Sequence, residues 1–364
     1  MRRTKIAKKC LPILLIMVIV ASLVLACEES PNSAPQSPNP AASNATLNPS
    51  LADLQLAEKL LKEGDLHDKN NNYKEAISAY NKAIILNPQF KSSYLKRGNS
   101  YLKLSNYNEA LLDFNQVIAI SPEDSIAYYL RGECYAGLNK FDSAIDNYTK
   151  ALHSLKQQNP DIIAEIYHNR AINYLNLGDY KKSIDDFDKA INYDPKLTLS
   201  YFYRGYAYAE LGIHTQAIKD YNKVIELSPN ELSAYVNIAT NYIALGKYNQ
   251  AITICTKAIE LDKNYANLYN KRGLAYIELK KYKAAINDLN KAIELNPKLS
   301  NAYSNLGYVY LRMGNNKEFN RNKEIAISLG DKSLLDYLKR QEEYRKIRIE
   351  QIKQKYGVYI PLNR

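Results

Sequence analysis

The strongest constraint on this chain is a period. From near Ala57 to about Gly330 one pattern returns roughly every 34 residues. One copy runs Tyr201-x-x-Arg204-Gly205-x-x-Tyr208, followed by Ala217, Tyr221 and Pro229. Another runs Tyr269-x-x-Arg272-Gly273-x-x-Tyr276, followed by Tyr282, Ala285, Ala292 and Pro297. A fixed period of this length predicts a stack of two-helix units, each too small to bury its apolar face alone. The expected fold is therefore all-α.

Alignment on the small residue of the first helix gives Gly64, Gly98, Gly132, Ala171, Gly205, Ala239, Gly273 and Gly307. A second small residue follows twelve positions later in every copy but the last, where Phe319 stands. Two small residues let the helices of a unit approach closely, and the recurring tyrosines fill the hollows beside them. Pro88, Pro122, Pro195, Pro229 and Pro297 end the second helices, because proline cannot continue a helix. Most of the 32 tyrosines are thereby explained as packing residues.

These framework positions resemble the tetratricopeptide repeat (TPR) family. The resemblance implies a right-handed superhelical solenoid of about eight units, near 57–90, 91–124, 125–158, 164–197, 198–231, 232–265, 266–299 and 300–330. Inserted residues around Asn159 to Ile163 separate the third and fourth units and are expected to lengthen a helix or loop.

Arg97, Arg131, Arg170, Arg204 and Arg272 directly precede the small residue, and sixteen residues later stand Asp113, Asn147, Asp186, Asp220 and Asp288. In the sixth unit both positions turn apolar together, as Ile238 and Ile254. That joint loss predicts structural ion pairs within single units, since a half-buried guanidinium needs a partner. The other reading is a row of arginines for an anionic ligand.

The resemblance also implies that positions 2, 5, 9, 12 and 13 of each first helix face a concave groove. Tyr129, Phe202, Tyr206, Tyr308, Ile172 and Ile243 are the candidate partner-groove residues, with Phe202 and Tyr206 among the expected anchors. The same residues could instead pack neighbouring helices. Groove charges are Glu58, Asp65, Asp68, Glu133, Glu165, Glu210 and Glu278 against Lys69, Lys103 and Arg312. Nucleic acid requires a coherent basic stripe, so the net charge of +11 is not evidence for it. Most of that excess lies in the first ten residues and after residue 330. No Lys or Arg occupies a fifth position, which excludes the clamp that holds chaperone tails in some relatives.

Upstream, a basic stretch from Met1 to Lys9 precedes an apolar run from Leu11 to Ala26, too short for a comfortable span and typical of a signal peptide. Val24-Leu25-Ala26-Cys27 resembles the lipobox of bacterial lipoproteins, which implies cleavage before Cys27 and its lipidation. Residues 27–50, rich in Pro, Ser and Asn, read as a disordered tether. Residues 331–364 read as a capping helix and tail. Arg345 to Ile349 is its alternative surface for a partner or anionic lipid.

Cys134 and Cys255 lie three units apart, beyond disulfide reach in a stack that touches only neighbours. Both are expected to be free thiols. His67, His153, His168 and His214 show no metal-ligand spacing, and no nucleophile, phosphate-loop or CxxC motif occurs. The expectation is a non-catalytic scaffold without cofactor or metal. It would sit lipid-anchored in a bacterial cell envelope and bind protein or peptide partners. A glycan-binding envelope lipoprotein using groove aromatics is the alternative.

Overall fold

In a computed structural model, the protein is described over residues 49–155 and 160–356, with the side chains after residue 352 excepted. Cys27, the predicted signal and almost all of the tether lie outside the described residues, as does the start of the insertion.

Seventeen helices and no strands make up the described residues. The first unit pairs α1 (Leu51–Lys69) with α2 (Tyr73–Leu86). The second pairs α3 (Lys91–Lys103) with α4 (Tyr107–Ile120), and the third α5 (Ser125–Gly137) with α6 (Phe141–Ser154). The fourth pairs α7 (Pro160–Asn176) with α8 (Tyr180–Tyr193), and the fifth α9 (Thr198–Glu210) with α10 (His214–Leu227). Then come α11 (Leu232–Ala244) with α12 (Tyr248–Leu261), α13 (Ala266–Glu278) with α14 (Tyr282–Leu295), and α15 (Ser300–Arg312) with α16 (Asn316–Ser328). A last helix, α17 (Ser333–Tyr356), follows the eighth pair.

α1 starts at Leu51, six residues before the repeat pattern, because Ser50 caps it. The Ser50 hydroxyl accepts from the Asp53 N–H at 3.1 Å, and the Asp53 carboxylate accepts from the Ser50 N–H in return. The insertion lengthens α7 to 17 residues, against 13 for α9 in the next unit, and buries Ile163 and Ile166. Pro160 opens that helix, where a missing N–H costs nothing.

Every turn between paired helices uses one device. The residue seven after the small residue adopts positive φ: Asn71, Ser105, Asn139, Gly178, Gly212, Gly246, Lys280 and Gly314. The next N–H then returns to the carbonyl of the recurrent aromatic, as in Asn106 to Tyr101 at 2.9 Å and Lys281 to Tyr276 at 2.8 Å.

The core runs along the stack. A Cβ at Gly64, Gly98, Gly132 or Gly273 would collide with Tyr80, Phe114, Tyr148 or Leu289, the residue sixteen later on the paired helix, and one at Gly205 would press on Tyr221 at 3.2 Å. Cys255 holds that place in the sixth unit and is fully buried. Cys134 and Cys255 are both free and buried, and burial pushes each thiol up to about 12. The first helices of successive units touch one another along the stack except at the junction of α9 with α11, while the second helices make no comparable contact among themselves. The stack therefore curves toward its first helices, and the groove lies on that side.

Candidate functional site: the groove of first helices

The arginine row is structural, and it spans two units. Within one unit, Nε and Nη2 of Arg97, Arg170, Arg204 and Arg272 donate side by side to Asp113, Asp186, Asp220 and Asp288 at 2.5–2.9 Å. Arg131 Nε donates to Asn147 at 2.7 Å. In each case Nη1 reaches back to the second helix of the preceding unit: Asn81, Asn115, Thr149, Asp188 or Thr256. Each guanidinium also lies 5.2–5.6 Å from the ring centre of the tyrosine three residues earlier. One side chain thus fastens three helices. No part of this row is open for an anionic ligand at the carboxylate-paired arginines.

The six groove residues divide. Phe202 is only 5% exposed and packs edge-on against Tyr203 and Tyr221 at 5.8 and 5.4 Å. It belongs to the core, because the rings on either side close over it, and it offers a partner no anchor. Tyr308 is half-covered, edge-on at 5.2 Å to Tyr337 of α17. Tyr129, Ile172, Tyr206 and Ile243 are each half-buried along the groove. Exposed beside them are Ile126, at 45%, and Leu199, at 53%, the second residues of α5 and α9. Ile126 was not among the expected groove residues, although its register is that of Glu165 and Leu199.

The polar side chains of the groove bridge successive units. Lys103 Nζ and Ser100 Oγ donate to Asp68 at 2.8 and 3.0 Å, and Lys96 Nζ pairs with Asp65 at 2.8 Å. His168 Nδ1 lies 2.8 Å from Ser200 Oγ, and burial drops that imidazole to about 4, so it is neutral at physiological pH. At the far end, buried Asn270 donates to Asn301 at 3.0 Å and accepts from Asn305 at 2.9 Å.

Between units three and four the charges are not balanced. Tyr129 donates to Glu133 Oε1 at 3.1 Å and accepts from Asn169 Nδ2 at 3.2 Å. Burial first, then the neighbouring Glu165, pushes Glu133 up to about 7 against the pull of the Tyr129 hydroxyl. Among the described residues, neither Glu133 nor Glu165 has a Lys or Arg within ion-pair distance.

A family profile described as "TPR repeat" matches residues 64–105, 241–280 and 273–314. Profiles described as "Tetratricopeptide repeat" match 95–161, 164–197 and 199–231. No curated protein matches the chain. Among solved structures, it resembles the C-terminal part of a TPR repeat-containing protein from Cytophaga hutchinsonii, with TM-score 0.55 and 19% identity over 66% of this chain and 98% of that one. A tetratricopeptide repeat protein from Parabacteroides merdae gives TM-score 0.49 and 20% identity over 70% of this chain and 99% of the other. YrrB, described as a TPR protein with an unusual peptide-binding site, gives TM-score 0.46 and 20% identity over 52% and 95%. Through repeats that the profiles match from residue 64 to residue 314, the chain belongs to the tetratricopeptide repeat family.

Proposed function

We propose that the chain is a non-catalytic scaffold that holds protein or peptide segments in the groove of its first helices, tethered to a membrane of a bacterial cell envelope through a lipid on Cys27. The observation that carries the binding reading is the middle of the groove. There Ile126 and Leu199 stand exposed beside half-buried Tyr129 and Tyr206, a surface that offers apolar area along the groove. Peptide fits better than sugar, because Phe202 is enclosed and Tyr308 is shared with Tyr337, which leaves little flat aromatic surface. The tether reading rests on the basic start, the apolar run and Val24-Leu25-Ala26-Cys27. On that reading residues 1–26 are removed and 27–50 link the lipid to the repeats.

Crosslinking in intact cells, followed by capture of the chain, tests the groove. A Leu199→Ala, Tyr206→Ala double variant should lose specific partners at unchanged abundance. Partners retained in full would move the working surface away from the groove. Metabolic labelling with a clickable fatty acid tests the tether: wild type should label and Cys27→Ser should not.

A further inference from the structure

We infer that the groove across units three to five selects a segment carrying a basic residue flanked by apolar residues three positions away on each side, in extended conformation. The inference rests on the groove being the binding surface and adds the chemistry of its occupant.

In three consecutive first helices, α5, α7 and α9, the position six residues before the small residue holds Ile126, Glu165 and Leu199. The two apolar side chains are exposed at 45% and 53%, and Glu165 between them is exposed as well. Neighbouring first helices touch here, and packed helices lie about 9 Å apart. An extended chain advances about 3.3 Å per residue, so three residues carry it from one helix to the next. An apolar–acidic–apolar row then reads an apolar, basic, apolar triplet at every third residue.

Charge points the same way. At the five groove positions of units three to six there is no Lys or Arg, while Glu133, Glu165 and Glu210 are present. In the first unit, by contrast, Asp65 and Asp68 are already neutralised by Lys96 and Lys103. His168, the remaining titratable cation candidate in the stretch, is held neutral by burial. Glu133 is half-buried beside Tyr129 with a second carboxylate nearby, an arrangement that costs stability and that an incoming ammonium or guanidinium would relieve. An anionic or neutral segment gains nothing from it.

The test is fluorescence polarisation at pH 8 with the full chain in detergent and three labelled seven-residue peptides. The first is Leu-Ser-Ser-Lys-Ser-Ser-Leu, the second has Glu for Lys, and the third has Ala for both Leu. The lysine peptide should bind at least tenfold tighter than either control. Glu165→Gln and Glu133→Gln should each weaken it by fivefold or more, while Glu133→Gln leaves thermal stability equal or raised, which separates lost binding from lost folding. Equal or tighter binding of the glutamate peptide, or no effect of either Gln variant, overturns the inference. If no peptide binds but cellular partners still depend on Leu199 and Tyr206, the inference fails and the groove reading survives. If neither dependence is seen, both fail.

Discussion

Leu334 of α17 occupies the hollow above Gly307, and a methyl on that glycine would come within 2.9 Å of Leu334 Cδ2. In five earlier units the residue sixteen after the glycine fills this space from the paired helix, but in the last unit that residue is Lys323. The capping helix therefore supplies from outside what the repeat no longer supplies from within, and Leu334 is 5% exposed as a result. Leu334→Ala should cost about 2–4 kcal/mol locally. The loss should appear as faster amide hydrogen exchange confined to α15, α16 and α17, since solenoid units answer mainly to their neighbours. Uniform loss of protection along the chain would contradict that independence.

The sixth unit is a natural double substitution. Where Arg272 and Asp288 pair in the seventh unit, the sixth has Ile238, which is buried, and Ile254, which is partly buried against the core. Arg272→Ile alone strands a carboxylate that is only 8% exposed and should cost about 3–5 kcal/mol. Adding Asp288→Ile should return most of that loss, leaving a net change within about 1 kcal/mol. Urea unfolding of both single variants and the double variant gives the coupling directly. A double variant as weak as the single would mean that the bond from Nη1 to Thr256 in the preceding unit carries the stability instead.

Half of that arginine's work was legible beforehand. The partner within the unit varies with it, Asp to Ile when Arg becomes Ile, so the pairing can be read from the sequence. The partner in the preceding unit is Asn81, Asn115, Thr149, Asp188 or Thr256, all acceptors of different shape, and such variety leaves no pattern to read. The groove failed in a similar way. Register places Phe202 on the same face as Tyr206, but register fixes direction and not depth. Whether a ring at that position is open depends on Tyr203 and Tyr221, which close over this one. Register makes Glu133 a groove charge, while its partial burial beside Tyr129 has no local signal.

Lys280 adopts φ +58° at a turn position where Gly246 serves in the preceding unit at φ +69°. A side chain in the left-handed region costs roughly 1 kcal/mol relative to glycine. Lys280→Gly should therefore stabilise the seventh unit by about that amount. Gly246→Lys should cost a comparable amount through the backbone alone, because nothing lies within 4 Å of a Cβ there. Thermal unfolding of the two variants checks both signs, and a stabilising Gly246→Lys would rule the argument out.

Glu133 makes stability depend on pH in a direction opposite to that of an ion-paired carboxylate. Its ordinary value is 4.5 and in the folded chain it lies at about 7. Between those values the folded state holds a proton that the unfolded state has released, so stability rises as pH falls from 7 to 4.5. The shift amounts to on the order of 3 kcal/mol. Tyr129, Tyr148, Cys134 and Glu165 are the titratable groups that face this carboxylate, and burial keeps Tyr129, Tyr148 and Cys134 protonated throughout the window. His168 acts in the reverse sense: lowered from 6.5 to about 4, it withdraws stability as pH falls through the same range. Whole-protein curves therefore mix the two, and the informative quantity is the difference between wild type and Glu133→Gln at each pH. The variant should be more stable than wild type at pH 8 and lose that advantage by pH 5, as the wild-type carboxyl takes up its proton. A pH-independent difference would mean that Glu133 is already solvated and ionised throughout, and the electrostatic case for a basic partner would lose its footing at that residue.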